Sequence, residues 1–229
     1  MPDPIITASN LKKVFRDSYN SEFEALNGLS LTVNEGERLG ITGVSGSGKT
    51  TLLSILGCLE KPTYGTLKIL GRDTSLLNDA ELSQLRLREI GFIFQEHNLI
   101  PALTVNENIE LPLTLLKRPK KERMDRVLEL LRIVDLEKLG ERYPSQLSRG
   151  QRQRIAAIRA LANEPKIIIG DEPTSDLDQQ NAKILLDFLK HINEKSGTTL
   201  VLAATDREAF QGVTTRDVNL VEGKLPGKT

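Results

Sequence analysis

The residues best equipped for chemistry stand together at positions 43–50, Gly43-Val44-Ser45-Gly46-Ser47-Gly48-Lys49-Thr50, with Thr51 immediately behind. The spacing G-x-x-x-x-G-K-[ST] suits a strongly hydrated polyanion, whose water must be replaced by many donors held in one small concavity. Gly43, Gly46 and Gly48 carry no Cβ and can take positive φ, so successive N–H groups running through Ser45 and Ser47 can curl inward around a β-phosphate. Lys49 adds a mobile positive charge for the β/γ oxygens, and the Thr50 hydroxyl is placed to coordinate Mg²⁺. A chance Gly/Ser-rich turn is the bland alternative. It is disfavoured because residues 38–42 (RLGIT) read as a buried strand and residues 49–59 as a helix, which puts the loop at a helix N-terminus.

A second cluster closes the apolar run Lys166-Ile167-Ile168-Ile169-Gly170 with Asp171-Glu172. Ligands of open α/β sheets bind at the carboxyl ends of strands. Asp171 there would hold Mg²⁺ through its water shell, and Glu172 could accept a proton from an attacking water. Two acids after an apolar strand are also a common way to begin a loop, so the pair gains its meaning from the phosphate loop.

The elements that must position these groups are legible in outline. Residues 5–11, 29–33 and 66–70 read as strands, 79–89 as a helix and 91–94 as a short strand running into Gln95. Between 95 and 162 the apolar residues recur at helical spacing. Thr104-Val105-Asn106-Glu107 is a capping box, and Met124, Val127, Leu128, Leu131 and Val134 form an apolar stripe behind Pro119. The basic run Lys117-Arg118-Pro119-Lys120-Lys121 reads as a solvated helix start, with a nucleic-acid or lipid-headgroup patch as the lesser reading. A helix over 179–195, a strand over 198–204, a short helix near 206–211 and a strand over 217–221 follow. Alternating strands and helices predict an α/β fold with parallel members and crossover helices.

The chain has 229 residues, 31 Lys plus Arg against 31 Asp plus Glu, and one cysteine, Cys58. Balanced charge gives no electrostatic case for a nucleic-acid partner, and a lone thiol suits a reducing compartment. No apolar stretch approaches the ~20 residues that span a bilayer, and residues 1–10 lack the layout of a signal peptide.

With Leu147-Ser148-Arg149-Gly150-Gln151 added, the chain resembles the nucleotide-binding subunit of an ATP-binding-cassette (ABC) transporter over about residues 5–224. The segment resembles the family signature LSGGQ. Its chemistry is readable without the family: Ser148 is an N-cap hydroxyl and Gly150 permits close backbone approach, which together make a second anion site or, more plainly, a Ser-capped surface helix. The resemblance implies a P-loop NTPase (RecA-like) core with an amino-terminal antiparallel β subdomain, divided as residues 1–94 and 163–229, around an inserted helical subdomain at 95–162. It implies ATP and Mg²⁺ as ligands. Two ATP molecules would sit between the cassette and a second copy of itself or a homologous cassette, with the γ-phosphate of one contacted by Ser148, Gly150 and Gln151 of the other. Gln95 becomes a Mg²⁺ or water contact near the membrane partner, Asp178 the residue that communicates across the dimer, and Phe15 the adenine-stacking aromatic, with Tyr19 as the alternative. The partner would be a membrane permease, and the place of work the cytoplasmic face of the cell membrane. Residues 56–63 and 92–99 resemble the group serving lipoprotein-release and macrolide-efflux systems (LolD-like and MacB-like).

Two positions depart from the family pattern. Arg149 replaces a glycine of the signature, a mild opposition to the helix dipole of about 0.3–1 kcal/mol if exposed. Thr205 stands where the family has a histidine that polarises the γ-phosphate; His97 and His191 lie elsewhere and read as surface or Gln95-loop residues. Thr205 can donate a hydrogen bond but carries no charge near neutral pH, which leads to the expectation of slow hydrolysis or of a cassette used as a regulatory switch. The plain alternative is that Thr205-Asp206-Arg207-Glu208 only caps the next helix.

Overall fold

The computed structural model describes residues 4–16 and 21–225. In chain order they form β1 (Pro4–Arg16), β2 (Glu22–Asn34), β3 (Arg38–Thr42), α1 (Lys49–Leu56), β4 (Tyr64–Ile69), β5 (Arg72–Asp73), α2 (Asp79–Glu89) and β6 (Ile90–Ile93). Then follow α3 (Val105–Leu115), α4 (Lys120–Ile133), α5 (Arg149–Ala160), β7 (Ile167–Asp171), α6 (Gln179–Ser196), β8 (Thr199–Ala204) and β9 (Arg216–Asn219).

Two sheets organise the molecule. One is antiparallel in the order β2-β1-β4-β5, and the other is parallel in the order β6-β7-β8-β3-β9. The central strands β7 and β8 are buried on both faces, which explains their unbroken apolar runs. Ile167 and Ile169 of β7, with Val201 and Ala203 of β8, pack toward α1 and the antiparallel sheet. Ile168, Leu200, Leu202 and Ala204 pack on the opposite face, against the helices. The result is an α/β P-loop cassette with an antiparallel β layer and a helical layer, as the motifs require.

Several boundaries differ from the periodicity reading. Helix α1 stops at Leu56, three residues early, because Gly57 caps it and Cys58 takes a left-handed φ of 57°. Strands β1 and β2 are longer than expected because they pair with each other from Pro4↔Asn34 to Arg16↔Glu22. Helix α4 turns Val127, Leu130, Leu131 and Val134 inward, at i, i+3, i+4 and i+7. Met124 and Leu128, expected in that stripe, are exposed.

Candidate functional site

Four neighbouring strands of the parallel sheet end at one place. The phosphate loop follows β3, Gln95 follows β6, Asp171 ends β7 with Glu172 beyond it, and Thr205 follows β8. A cavity of about 470 Å³ is lined by Ser45, Gly46, Gly48, Lys49, Thr50, Thr51, Gln95, Asp171, Glu172 and Thr205 from those ends, and by Phe23 and Ala25 of β2. The described residues also enclose a cavity of about 500 Å³ near Arg126, Glu129, Lys166 and Lys195. That one lies beside the amino-terminal end of β7 and collects charges of both signs without a reactive pattern.

The cradle owes its openness to backbone. Gly48 is the N-cap of α1 with φ 101°, a conformation only glycine enters freely, and an added Cβ would lie 2.5 Å from the Ala25 carbonyl oxygen. No side chain caps α1, so its first N–H groups remain available to an anion along with the positive end of the helix dipole. Gly43 and the buried Ser47, whose hydroxyl has no partner, lie behind the wall; Ser47 instead fixes the loop, its N–H donating to the Val44 carbonyl and its own carbonyl accepting from Gly223. The Lys49 ammonium is buried and donates to the carbonyls of Gly43 (2.7 Å) and Val44 (3.2 Å).

The acidic side is strained and tightly held. Glu172 adopts φ 46°, an uncommon conformation for a side-chain-bearing residue that is tolerated where the surroundings over-determine it. Its N–H donates to the Ala203 carbonyl (2.9 Å), and its carbonyl accepts from the Ser175 N–H and hydroxyl. One carboxylate oxygen, Oε1, accepts from the Thr205 hydroxyl at 2.7 Å and lies 3.9 Å from the Lys49 ammonium. Thr205 is therefore not the cap of the following turn, as the local pattern allowed. Asp206 takes that role, accepting from the Glu208 N–H, and this leaves the Thr205 hydroxyl free to turn to Glu172.

Burial pushes the Asp171 carboxyl above its ordinary range; the Thr50 hydroxyl bonded to it opposes that, the neighbouring Glu172 charge adds to it, and Lys49 opposes it. Its Oδ1 is buried without a hydrogen-bond partner. An orphaned carboxylate oxygen beside a threonine hydroxyl fits a small hard cation, which takes one or two protein oxygens and leaves its other positions to phosphate and water. Among the described residues no group of three or more His, Cys, Asp or Glu forms a denser metal cage.

Phe15 does not line the cavity; its cross-strand partner Phe23 does. Directly paired residues of antiparallel strands share a face, so Phe23, 62% exposed, and Phe15, 41% exposed, lie on one face of the sheet, with the Lys13 ammonium 5.0 Å from the Phe15 ring centre. Phe23 was missed from sequence because nothing local distinguishes it; only strand pairing reveals it. Tyr19 lies outside the described residues. His97, read as a surface or Gln95-loop residue, lies in the loop just past Gln95 and is buried there, and burial lowers the pKa of its imidazole. His191 is exposed as expected.

Ser148, Gly150, Gln151 and Asp178 are absent from the cavity wall. Ser148 caps α5 by accepting from the Gln151 N–H, while the Gln151 side chain accepts from the Ser148 N–H. Asp178 caps α6, accepting from the backbone and side chain of Asn181, and these bonds hold its carboxyl below the usual range. Gly150 packs on that same asparagine, since a Cβ would meet Asn181 Oδ1 at 2.6 Å. The structure thus joins the signature turn to Asp178 through Asn181, apart from the phosphate loop.

An anion cradle, an acid pair and a held hydroxyl at the ends of adjacent parallel strands define a nucleoside-triphosphate-binding cassette. The ABC transporter family model matches residues 26–175. The lipoprotein-releasing system ATP-binding protein LolD of Aquifex aeolicus is 44% identical over 224 residues, covering 98% of this chain and 97% of that protein. The methionine import ATP-binding protein MetN of Halalkalibacterium halodurans is 43% identical over 221 residues, 96% of this chain and 65% of its own length. Among solved structures, the dimeric ATP-binding cassette MJ0796 in a post-hydrolysis state bound to ADP and Pi superposes with a TM-score of 0.90 at 41% identity over 96% of each chain. The chain belongs to the ABC transporter family, as an ATP-binding, ATP-hydrolysing cassette close to the LolD-like group.

Proposed function

We propose that this cassette drives a separate membrane permease of the lipoprotein-release type, by closing in pairs on ATP and reopening after hydrolysis. The observation that carries the catalytic part is the convergence of Lys49 and Thr205 on one oxygen of Glu172. In this reading the loop N–H groups and Lys49 bind the β/γ-phosphates, and Phe23 with Phe15 supports the adenine. Glu172 takes a proton from water as its oxygen bonds to the γ-phosphorus and the bond to the ADP oxygen breaks, releasing ADP and phosphate. Gln95 orients that water. Mg²⁺, held by Thr50, Asp171 and Gln95, neutralises phosphate charge when bound. Positioning and charge neutralisation carry most of the rate in such a reaction.

Ser148, Gly150, Gln151 and Asp178 complete the site of a second copy, which explains why they line no wall of their own cavity. The division into residues 1–94 with 163–229, and 95–162, is proposed as the unit of closure. The permease is proposed to dock in an apolar groove of about 410 Å³ formed by Leu59, Phe92, Phe94, Leu111, Pro112 and Leu115, adjoining Gln95. That docking would place the cassette on the cytoplasmic face of the membrane; no helix among the described residues is long and apolar enough to cross it.

Thr205 supports slower turnover than in relatives with histidine there, and with it the second reading, an ATP-dependent regulatory switch on a membrane complex. Cargo movement in proteoliposomes with the co-purified permease separates the two, and lipoprotein against macrolide cargo resolves the branch. For the paired mechanism, Glu172→Gln is expected to accumulate ATP-bound dimers by light scattering; monomers alone at saturating Mg·ATP would refute it.

A further inference from the structure

A second surface, away from the nucleotide, is built at the start of α4. Lys117, Lys120 and Lys121 are exposed and Arg118 is half-buried. Among the described residues, none of these four side chains makes an ion pair, whereas the next cation, Arg123, is held by Glu110 at 2.6 Å and also bonds the Arg118 carbonyl. The acids nearest in the chain are the exposed Glu122 and Asp125; Asp125, with Glu110 and Glu137, lines a cavity beside Lys120, yet none of these acids pairs with the four cations. Folding gives no reason for the arrangement. Lys120 and Lys121 open a helix, the end at which the dipole disfavours cations, and Pro119 supplies no side-chain cap. Apolar side chains flank the cluster: Leu115 is 59% and Met124 57% exposed, and Leu128 lies one turn beyond Met124.

Cations beside protruding aliphatic side chains are the composition of a surface that rests on an anionic bilayer. A single-stranded nucleic acid would call for stacking rings as well, and residues 115–128 contain none. Position agrees, because Leu115 belongs both to this patch and to the rim of the apolar groove. We infer that residues 115–128 form a membrane-surface contact, in which Lys117, Arg118, Lys120 and Lys121 bind anionic phospholipid headgroups while Leu115 and Met124 enter the interfacial layer.

The test is flotation of the full chain with vesicles of phosphatidylcholine alone or mixed with phosphatidylglycerol. Binding is expected on the mixed vesicles only, and it should fall steeply with added salt. Each Lys or Arg replaced by Gln should weaken it about fivefold, and the four together should abolish it. Met124→Gln should weaken what binding survives at high salt. ATPase activity in solution should match wild type in the fourfold variant, showing that the fold is kept. Equal binding to both vesicles, unchanged binding by the fourfold variant, or preferential capture of a single-stranded oligonucleotide would each overturn the inference. Vesicle binding by a chain that captures no permease would leave it standing while the docking reading falls.

Discussion

The two helix N-termini proposed as phosphate contacts are built in opposite ways. At α1 the N-cap is Gly48 and no side chain satisfies the first turn. At α5 the N-cap is Ser148, and a complete capping box with Gln151 occupies donors at both ends of the turn. The first is an open cradle with a buried lysine behind it; the second is a self-satisfied turn braced on Asn181. An open cradle can bind a triphosphate by itself, because its donors have no competing partner. A capped turn has fewer donors to give, in keeping with the proposal that it only adds to a phosphate another subunit already holds. Only the open end borders the cavity.

The largest expected effect breaks the open end. Lys49→Ala removes the charge that reaches both the loop carbonyls and Glu172, and turnover should fall by roughly 10²–10³-fold, the loss typical of one preorganised transition-state donor. Steady-state ATPase rates with nucleotide-binding titrations check it; a variant within tenfold of wild type would remove Lys49 from the chemistry.

Next comes the hydroxyl that holds the acid. Thr205→Val leaves Glu172 without its 2.7 Å donor, and a hydrogen bond to a charged group contributes about 1.5–3 kcal/mol. The kcat should therefore drop roughly 10–100-fold with KM for ATP little changed, while Thr205→Ser retains most of the rate. Thr205→His should raise it. A wild type already as fast as its histidine variant would end the case for slow turnover.

The smallest effect sharpens the capped end. Gly150→Ala drives a methyl against Asn181, which must release Asp178. Overpacking of this kind costs about 1–3 kcal/mol, read as a lowered Tm. ATP binding by the monomer should persist, and nucleotide-dependent dimerisation should weaken. Equal loss of both would show that the two ends are not separable.

Much of the site was legible in the chain because its signals are local. The glycine spacing of 43–50, the apolar run ending at Asp171-Glu172, and the capping residues Thr104 and Ser148 each act within one turn or one strand end, so sequence order is enough to reveal them. The family resemblance named Gln95 and Thr205, and both line the cavity. What periodicity misjudged were faces and ends: Met124 and Leu128 were expected inward because the stripe admits two rotations of α4, and only its packing against α3 and α5 selects one.

The sequence alone thus marked a phosphate-type loop and an acid pair, because each of those groups is contiguous in the chain. Tertiary structure alone decided which aromatic borders the cavity, since Phe23 reaches it through the pairing of β1 with β2. It also decided that Thr205 turns to Glu172 across 33 residues of chain, because β7 and β8 lie side by side in the parallel sheet. Neighbouring strand ends are a property of sheet order, and sheet order is a long-range choice that no local pattern of residues encodes.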